Sequence, residues 1–154
     1  VLDPGTPAPF FNLPDQHGTM VSSDSLRGGW TLLWWYPRAG TPGCTVEGQV
    51  LRDRAGDFAA AGCIVVGMSF DTPELNRVWA SAQGFDFRLL SDVDHAVGRA
   101  YQVEREADDQ YVAFPLRVSY LLDPEGMIRK TYSVAGVADH ATEVLASLDR
   151  LRRP

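Results

Sequence analysis

Lysine is almost missing from this chain: Lys130 stands alone, and the other 13 of its 14 basic residues are arginines. Against 20 acidic residues the bases leave a net charge of −6. A net-negative chain without a basic run is poorly suited to a nucleic-acid backbone or an anionic membrane surface. The one basic cluster, Arg150, Arg152 and Arg153, reads as the charged end of a C-terminal helix. No apolar run is long enough to span a bilayer. There are 2 cysteines, Cys44 and Cys63, too few for a disulfide framework. The 3 histidines, His17, His95 and His140, are scattered without metal-ligand spacing. Repeats and low-complexity stretches are also absent. The cysteine usage points to the cytoplasm, while the start at Val1 leaves export open through a leader removed ahead of it.

What remains is 154 residues with 45% hydrophobic and 10% aromatic content. A chain of this size is expected to form one domain, residues 1–154, and to bury roughly 70% of its unfolded surface. The stretch before Trp30 is rich in proline and turn residues, with a small hairpin expected around Gln16-His17-Gly18. Thr31 to Tyr36 (TLLWWY) then reads as a strand buried on both faces, with Trp34 and Trp35 in the core. A Pro/Gly loop, Pro37 to Gly43, leads into a helix expected from Thr45 to Ala61, with Gly62 as its stop. Cys63 to Met68 is a second buried strand, and Thr72-Pro73 opens a helix ending at Gly84. Arg117–Leu122 and Met127–Tyr132 form a hairpin across Asp123-Pro124-Glu125-Gly126. A last amphipathic helix carries Val144, Leu145, Leu148 and Leu151. A βαβ half followed by a hairpin and a helix is thioredoxin-like: α/β, with a mixed central sheet flanked by helices and an N-terminal hairpin extension.

Chemistry concentrates between Tyr36 and Thr45, at the carboxyl end of a buried strand, where open α/β sheets place ligands. Cys44 sits in the first turn of the following helix, where free N–H groups and the dipole favour a thiolate. Thr41, three positions earlier, can turn its hydroxyl toward the sulfur or toward a small substrate, and Pro37 and Pro42 stiffen the loop. A buried structural cysteine is the alternative, since free cysteine is commonly buried.

The run Y-P-x-x-x-T-P-G-C-T-x-E, Tyr36 to Glu47, resembles the peroxidatic loop of peroxiredoxins, and its TPGCT form that of the bacterioferritin-comigratory (PrxQ) branch. Pro7-Ala8-Pro9-Phe10, Leu26-Arg27-Gly28 and Leu122–Gly126 extend the resemblance over nearly the whole chain. It implies a peroxidatic Cys44, a Thr41 that orients the peroxide, a Pro37 that shields the thiolate and an active-site Arg117. By the same resemblance Gly43 would contribute a backbone amide to the pocket. Glu47 matches the branch too, although a solvated first-turn carboxylate would look the same. The implied reaction reduces hydrogen peroxide or an organic hydroperoxide through a sulfenic acid, without metal or organic cofactor. Electrons would come from thioredoxin, glutaredoxin or a small thiol, and the enzyme would act as a monomer or weak homodimer.

One departure concerns the second thiol. Many members of the branch carry a resolving cysteine five positions after the first, here Gln49, and others carry one in the next helix, where Thr72–Gly84 has none. A helix of about 25 Å separates Cys44 from Cys63, far beyond disulfide reach. Cys63 is therefore expected in the core, with an external thiol resolving Cys44.

Rival readings are a serine hydrolase on Gly67-Met68-Ser69-Phe70-Asp71, with His95 or His140 as base, and a disulfide reductase lacking its first cysteine. A third is a binding or holdase module that kept the fold without turnover. Both histidines read equally well as surface residues near helix starts, and the acidic runs Asp92–Asp94 and Glu104–Asp109 are expected to face solvent.

Overall fold

Strand β3 (Trp30–Trp35) is the axis of the computed structural model, which describes residues 1–153; Pro154, the last residue of the expected domain, lies outside them. Its neighbours make a five-stranded sheet in the order β5 (Arg88–Ser91), β4 (Cys63–Ser69), β3, β6 (Val118–Leu122), β7 (Ile128–Ser133). On one side β3 runs parallel to β4, with Trp30 beside Cys63 and Trp35 beside Met68. On the other it runs antiparallel to β6, with Trp34 beside Ser119. β5 extends the parallel half and β7 closes the antiparallel half.

A central strand has no solvent face, so both of its side-chain rows are apolar. Leu32, Trp34 and Tyr36 pack with the helical layer, formed by α1 (Pro42–Asp53), α2 (Ala55–Ala60), α3 (Pro73–Gln83) and α5 (His140–Leu151). Leu33 and Trp35 pack on the opposite side with Phe11, Val21, Tyr101 and Tyr120. The expected N-terminal hairpin forms from β1 (Asn12–Pro14) and β2 (Met20–Ser22). The Gln16 side chain then reaches the sheet edge, accepting from Leu89 N–H at 2.8 Å and donating to Phe87 O at 3.0 Å.

The helix expected over Thr45–Ala61 differs in two ways. It begins at Pro42, because proline at the first helical position has a preset φ and no N–H to satisfy. It also breaks at Arg54 (φ −101°, ψ 12°), two residues ahead of Gly56, a poor helix former, and Arg54 pairs across the break with Asp57. β5 and α4 (Ala96–Ala100) carry too little periodicity to be read from the sequence.

The expectation that Asp92–Asp94 faces solvent fails at Asp92. Its buried carboxylate accepts N–H groups from Val97 (3.2 Å) and Gly98 (2.6 Å) at the start of α4, and burial raises its pKa despite those bonds. His140 is likewise no surface residue: it is buried, 2.8 Å from Ser119 Oγ, and burial pushes its pKa down to about 4. His95 is half-buried and stacks on Phe70 at 3.8 Å between ring centres.

Candidate active site

The end of β3 delivers the chain to a loop held from below. Ala39 N–H donates to Asp71 Oδ2 at 2.8 Å, and Gly40 takes a positive φ of 81° to turn the backbone. Thr41 then caps α1 without using its side chain for the cap. Its Oγ1 donates instead to Arg38 O at 2.8 Å, which commits the hydroxyl proton to that carbonyl. The first-turn amides consequently receive no side-chain acceptor.

Cys44 lies in that first turn with its side chain fully buried. Arg117, immediately before β6, reaches across because the antiparallel neighbour begins where β3 finishes. Its Nη1 donates to Cys44 Sγ at 3.5 Å and to Glu47 Oε1 at 2.8 Å. Burial acts against the guanidinium charge, but the Cys44 sulfur and the Glu47 carboxylate outweigh it, and the Arg117 pKa rises. A side chain at Gly43 would crowd this arrangement, since a Cβ there would lie 3.1 Å from Arg117 Nη2.

Glu47 is one turn along α1 from Cys44, and it corrects the solvated-carboxylate alternative: it is 1% exposed. Oε1 is paired with Arg117, whereas Oε2 has no hydrogen-bond partner. Burial pushes its carboxyl up to about 7, and the charge and hydrogen bond of Arg117 offset only part of that rise.

Above the sulfur opens a cavity of about 390 Å³ lined by Pro37, Thr41, Gly43 and Arg117. The six residues singled out in the sequence therefore converge: four on the wall, with Cys44 and Glu47 beneath and bonded to Arg117. The rest of the lining, Arg38, Arg105, Tyr111 and Phe114, was not legible in the sequence. Three of these lie in the long connection between α4 and β6, which has no periodic pattern, and only its return at Leu116 N–H to Val103 O (2.8 Å) brings it here.

A second group of contacts ties α1 to α3. Trp79 Nε1 donates to Thr45 Oγ1 at 3.2 Å and Gln49 Nε2 to Gln83 Oε1 at 2.9 Å. Tyr36, whose pKa burial drives well up, donates to Asn76 Oδ1 at 2.6 Å. Phe85 fills the space above Gly48, where an added Cβ would come within 2.5 Å of the ring.

Cys63 pairs with Trp30, at the opposite end of β3 from Cys44. It is buried, and burial pushes its thiol up to about 12. Both cysteines are free. Ser69 is buried with its Oγ accepting from Asp71 N–H at 3.2 Å, while His140 bonds Ser119 and His95 stacks on Phe70, so the hydrolase constellation is not assembled. Among the described residues no group of three or more His, Cys, Asp or Glu is arranged to hold a metal ion, and no helix is long and apolar enough to cross a membrane.

A thioredoxin-like sheet with a buried cysteine at the head of the helix after its central strand, under an arginine, defines a thiol-redox protein. Comparison with known proteins narrows the class: residues 4–131 match the AhpC/TSA family, and the chain belongs to it. A putative peroxiredoxin of Mycobacterium tuberculosis is 38% identical over 154 residues, covering 99% of this chain and 94% of that protein. Peroxiredoxin Bcp of Escherichia coli K12 is 36% identical over 146 residues, 94% of each. Among solved structures, the bacterioferritin comigratory protein of Xanthomonas campestris, described with alkyl peroxide reduction activity, superposes with a TM-score of 0.90. It is 32% identical, with 98% of this chain and 100% of that one covered.

Proposed function

We propose that this chain is a thiol-dependent peroxidase that reduces hydroperoxides through a sulfenic acid at Cys44. Family membership supports the activity, and a binding module without turnover is not favoured. The observation that carries the site assignment is the shared donor, Arg117 Nη1 between Cys44 Sγ and Glu47 Oε1.

The Cys44 thiolate attacks the terminal peroxide oxygen in line with the O–O bond. An S–O bond forms as the O–O bond breaks, sulfur is oxidised to the sulfenic acid, and the leaving oxygen, released as hydroxide or alkoxide, takes a proton from solvent to depart as water or an alcohol. The Thr41 hydroxyl donates its hydrogen bond to Arg38 O, so the lone pairs of its oxygen are free to accept the hydroperoxide O–H and orient it. Negative charge moves from sulfur toward the leaving oxygen. Arg117 and the uncapped amides of Gly43 and Cys44 are fixed donors at that path. Pro37 covers the pocket wall and limits water around the thiolate. Glu47 holds Arg117 in register and acts as a positioning residue.

Resolution is assigned to an external thiol, with water released as its sulfur bonds to Cys44 and a second thiol freeing the enzyme. The position and raised pKa of Cys63 support this one-cysteine reading. Thioredoxin, glutaredoxin or a small thiol can supply the electrons to a monomer or weak homodimer. The two free cysteines fit a cytoplasmic setting, and the single sheet shared by both cores fits one domain.

Intact mass after one equivalent of hydrogen peroxide, with a sulfenic-acid trap present and Cys44→Ser as control, tests the reading. A single trapped adduct on Cys44 is expected. A loss of two hydrogens without adduct would make Cys63 the resolving thiol, and no mass change would remove the peroxidase assignment.

A further inference from the structure

Hydrogen peroxide needs only Arg117, Thr41 and the helix amides, yet the cavity above Cys44 extends well past them. In a chain of net charge −6, its charged lining is three arginines, Arg38, Arg105 and Arg117, and no carboxylate. Arg117 is committed to Cys44 and Glu47. The other two stack on aromatic rings. The Arg38 guanidinium lies 5.7 Å over the ring of Phe114 and, among the described residues, has no acidic group within 4.0 Å. Arg105 lies 5.8 Å over the Tyr111 ring, and its plane is set by donation to Phe114 O (3.1 Å) and Pro115 O (3.4 Å). Most acids of the same connection are turned elsewhere. Glu104 pairs with Arg99 at 2.9 Å and Glu106 and Asp108 are exposed; only Asp109, which also accepts Tyr111 N–H at 2.7 Å, pairs loosely with Arg105 at 3.9 Å, so Arg38 is the one without an acidic partner.

The stacked Arg38 guanidinium, its N–H groups unused, is a preorganised fork for a carboxylate; Arg105, anchored to the backbone, adds positive charge beside it, and the aromatic rings beneath offer contact to a short carbon chain. Resting on the peroxidase reading, we infer that Arg38 and Arg105 form a carboxylate-binding subsite at the mouth of the Cys44 cavity. It takes the acid group of a small organic molecule whose other end carries the reactive atom, either the oxygen of a hydroperoxide or the sulfur of the reducing thiol.

Matched acid and ester pairs distinguish the two sources. In the oxidation arm, the rate of Cys44 oxidation is followed by quenched intact mass with 4-hydroperoxy-4-methylpentanoate and with its methyl ester. In the reduction arm, the preformed Cys44 sulfenic acid is reduced by 3-mercaptopropionate or its methyl ester. One charge-assisted contact corresponds to a preference for the acid of roughly tenfold. That preference collapses in Arg38→Gln, is only partly kept in Arg38→Lys, which restores the charge without the fork, and survives in Arg153→Gln, which removes the same charge from the end of the chain. Because acid and ester meet the same Cys44, any change in its reactivity cancels in the ratio. A preference confined to one arm names hydroperoxide or thiol as the source. Equal acid and ester rates in both arms, or a preference that Arg38→Gln leaves intact, overturns the subsite while the peroxidase reading stands. Failure of both hydroperoxides to oxidise Cys44 would overturn that reading and the subsite with it.

Discussion

Replacing Glu47 by glutamine probes the electrostatics beneath the cysteine. The Glu47 carboxyl is buried with one oxygen unpartnered, and burial moves its pKa from 4.5 to about 7. A carboxyl with a raised folded-state pKa holds its proton more tightly in the folded chain than in the unfolded one. Its full stability is present below the unfolded value and is lost as pH rises toward the folded value. The loss accumulates from pH 4.5 and levels off above about 7, where it amounts to about 3 kcal/mol. Glutamine keeps the shape and an acceptor for Arg117 but has no proton to lose. His140 works in the opposite sense: its pKa falls from 6.5 to about 4, so its contribution is present above 6.5 and lost as pH falls through 4. Wild type and variant share that effect, and it cancels between them. In a Cys44→Ser background, which removes the neighbouring thiol, Glu47→Gln should gain roughly 2.5 kcal/mol more over its parent at pH 8 than at pH 5. Equilibrium urea unfolding at the two pH values measures it. A difference that does not change with pH would refute the argument, because it would mean that Glu47 titrates alike in the folded and unfolded chains.

Three further perturbations follow from the same geometry. Arg117→Gln removes the donor shared by Cys44 and Glu47, and stopped-flow oxidation should slow by roughly 100-fold or more, in line with the loss of a preorganised donor. A loss below about threefold would take Arg117 out of the reacting centre. Gly48→Ala sets a Cβ 2.5 Å from the Phe85 ring; despite the helix preference of alanine, thermal or urea unfolding should show a net cost of about 1–2 kcal/mol. Increased stability would mean that the ring moves aside freely. With its thiol pushed up to about 12, Cys63 in the Cys44→Ser variant should resist iodoacetamide at pH 8 in the folded protein and react once unfolded in urea. Rapid labelling of the folded form would contradict its burial.

Which parts of this protein the sequence determined by itself follows from how local their causes are. The TLLWWY run, Thr72-Pro73 with Gly84, and the Asp123–Gly126 turn each act within a few residues, so the strands, caps and hairpin were legible. The positions of Cys44, Thr41 and Pro37 were legible for the same reason, since one loop and the first turn of the helix after it carry all three. Tertiary structure alone decided the environments. Glu47, Asp92 and His140 look like ordinary exposed polar residues in the sequence, and each is buried in the folded chain. Burial changes the cost of charge, which no local pattern encodes, so the raised carboxyl of Glu47 and the lowered imidazole of His140 arise only on folding. The arginine-lined mouth above Cys44 belongs to this second kind, because Arg105, Tyr111 and Phe114 reach it through a long irregular connection that only the packed sheet brings back to the head of α1.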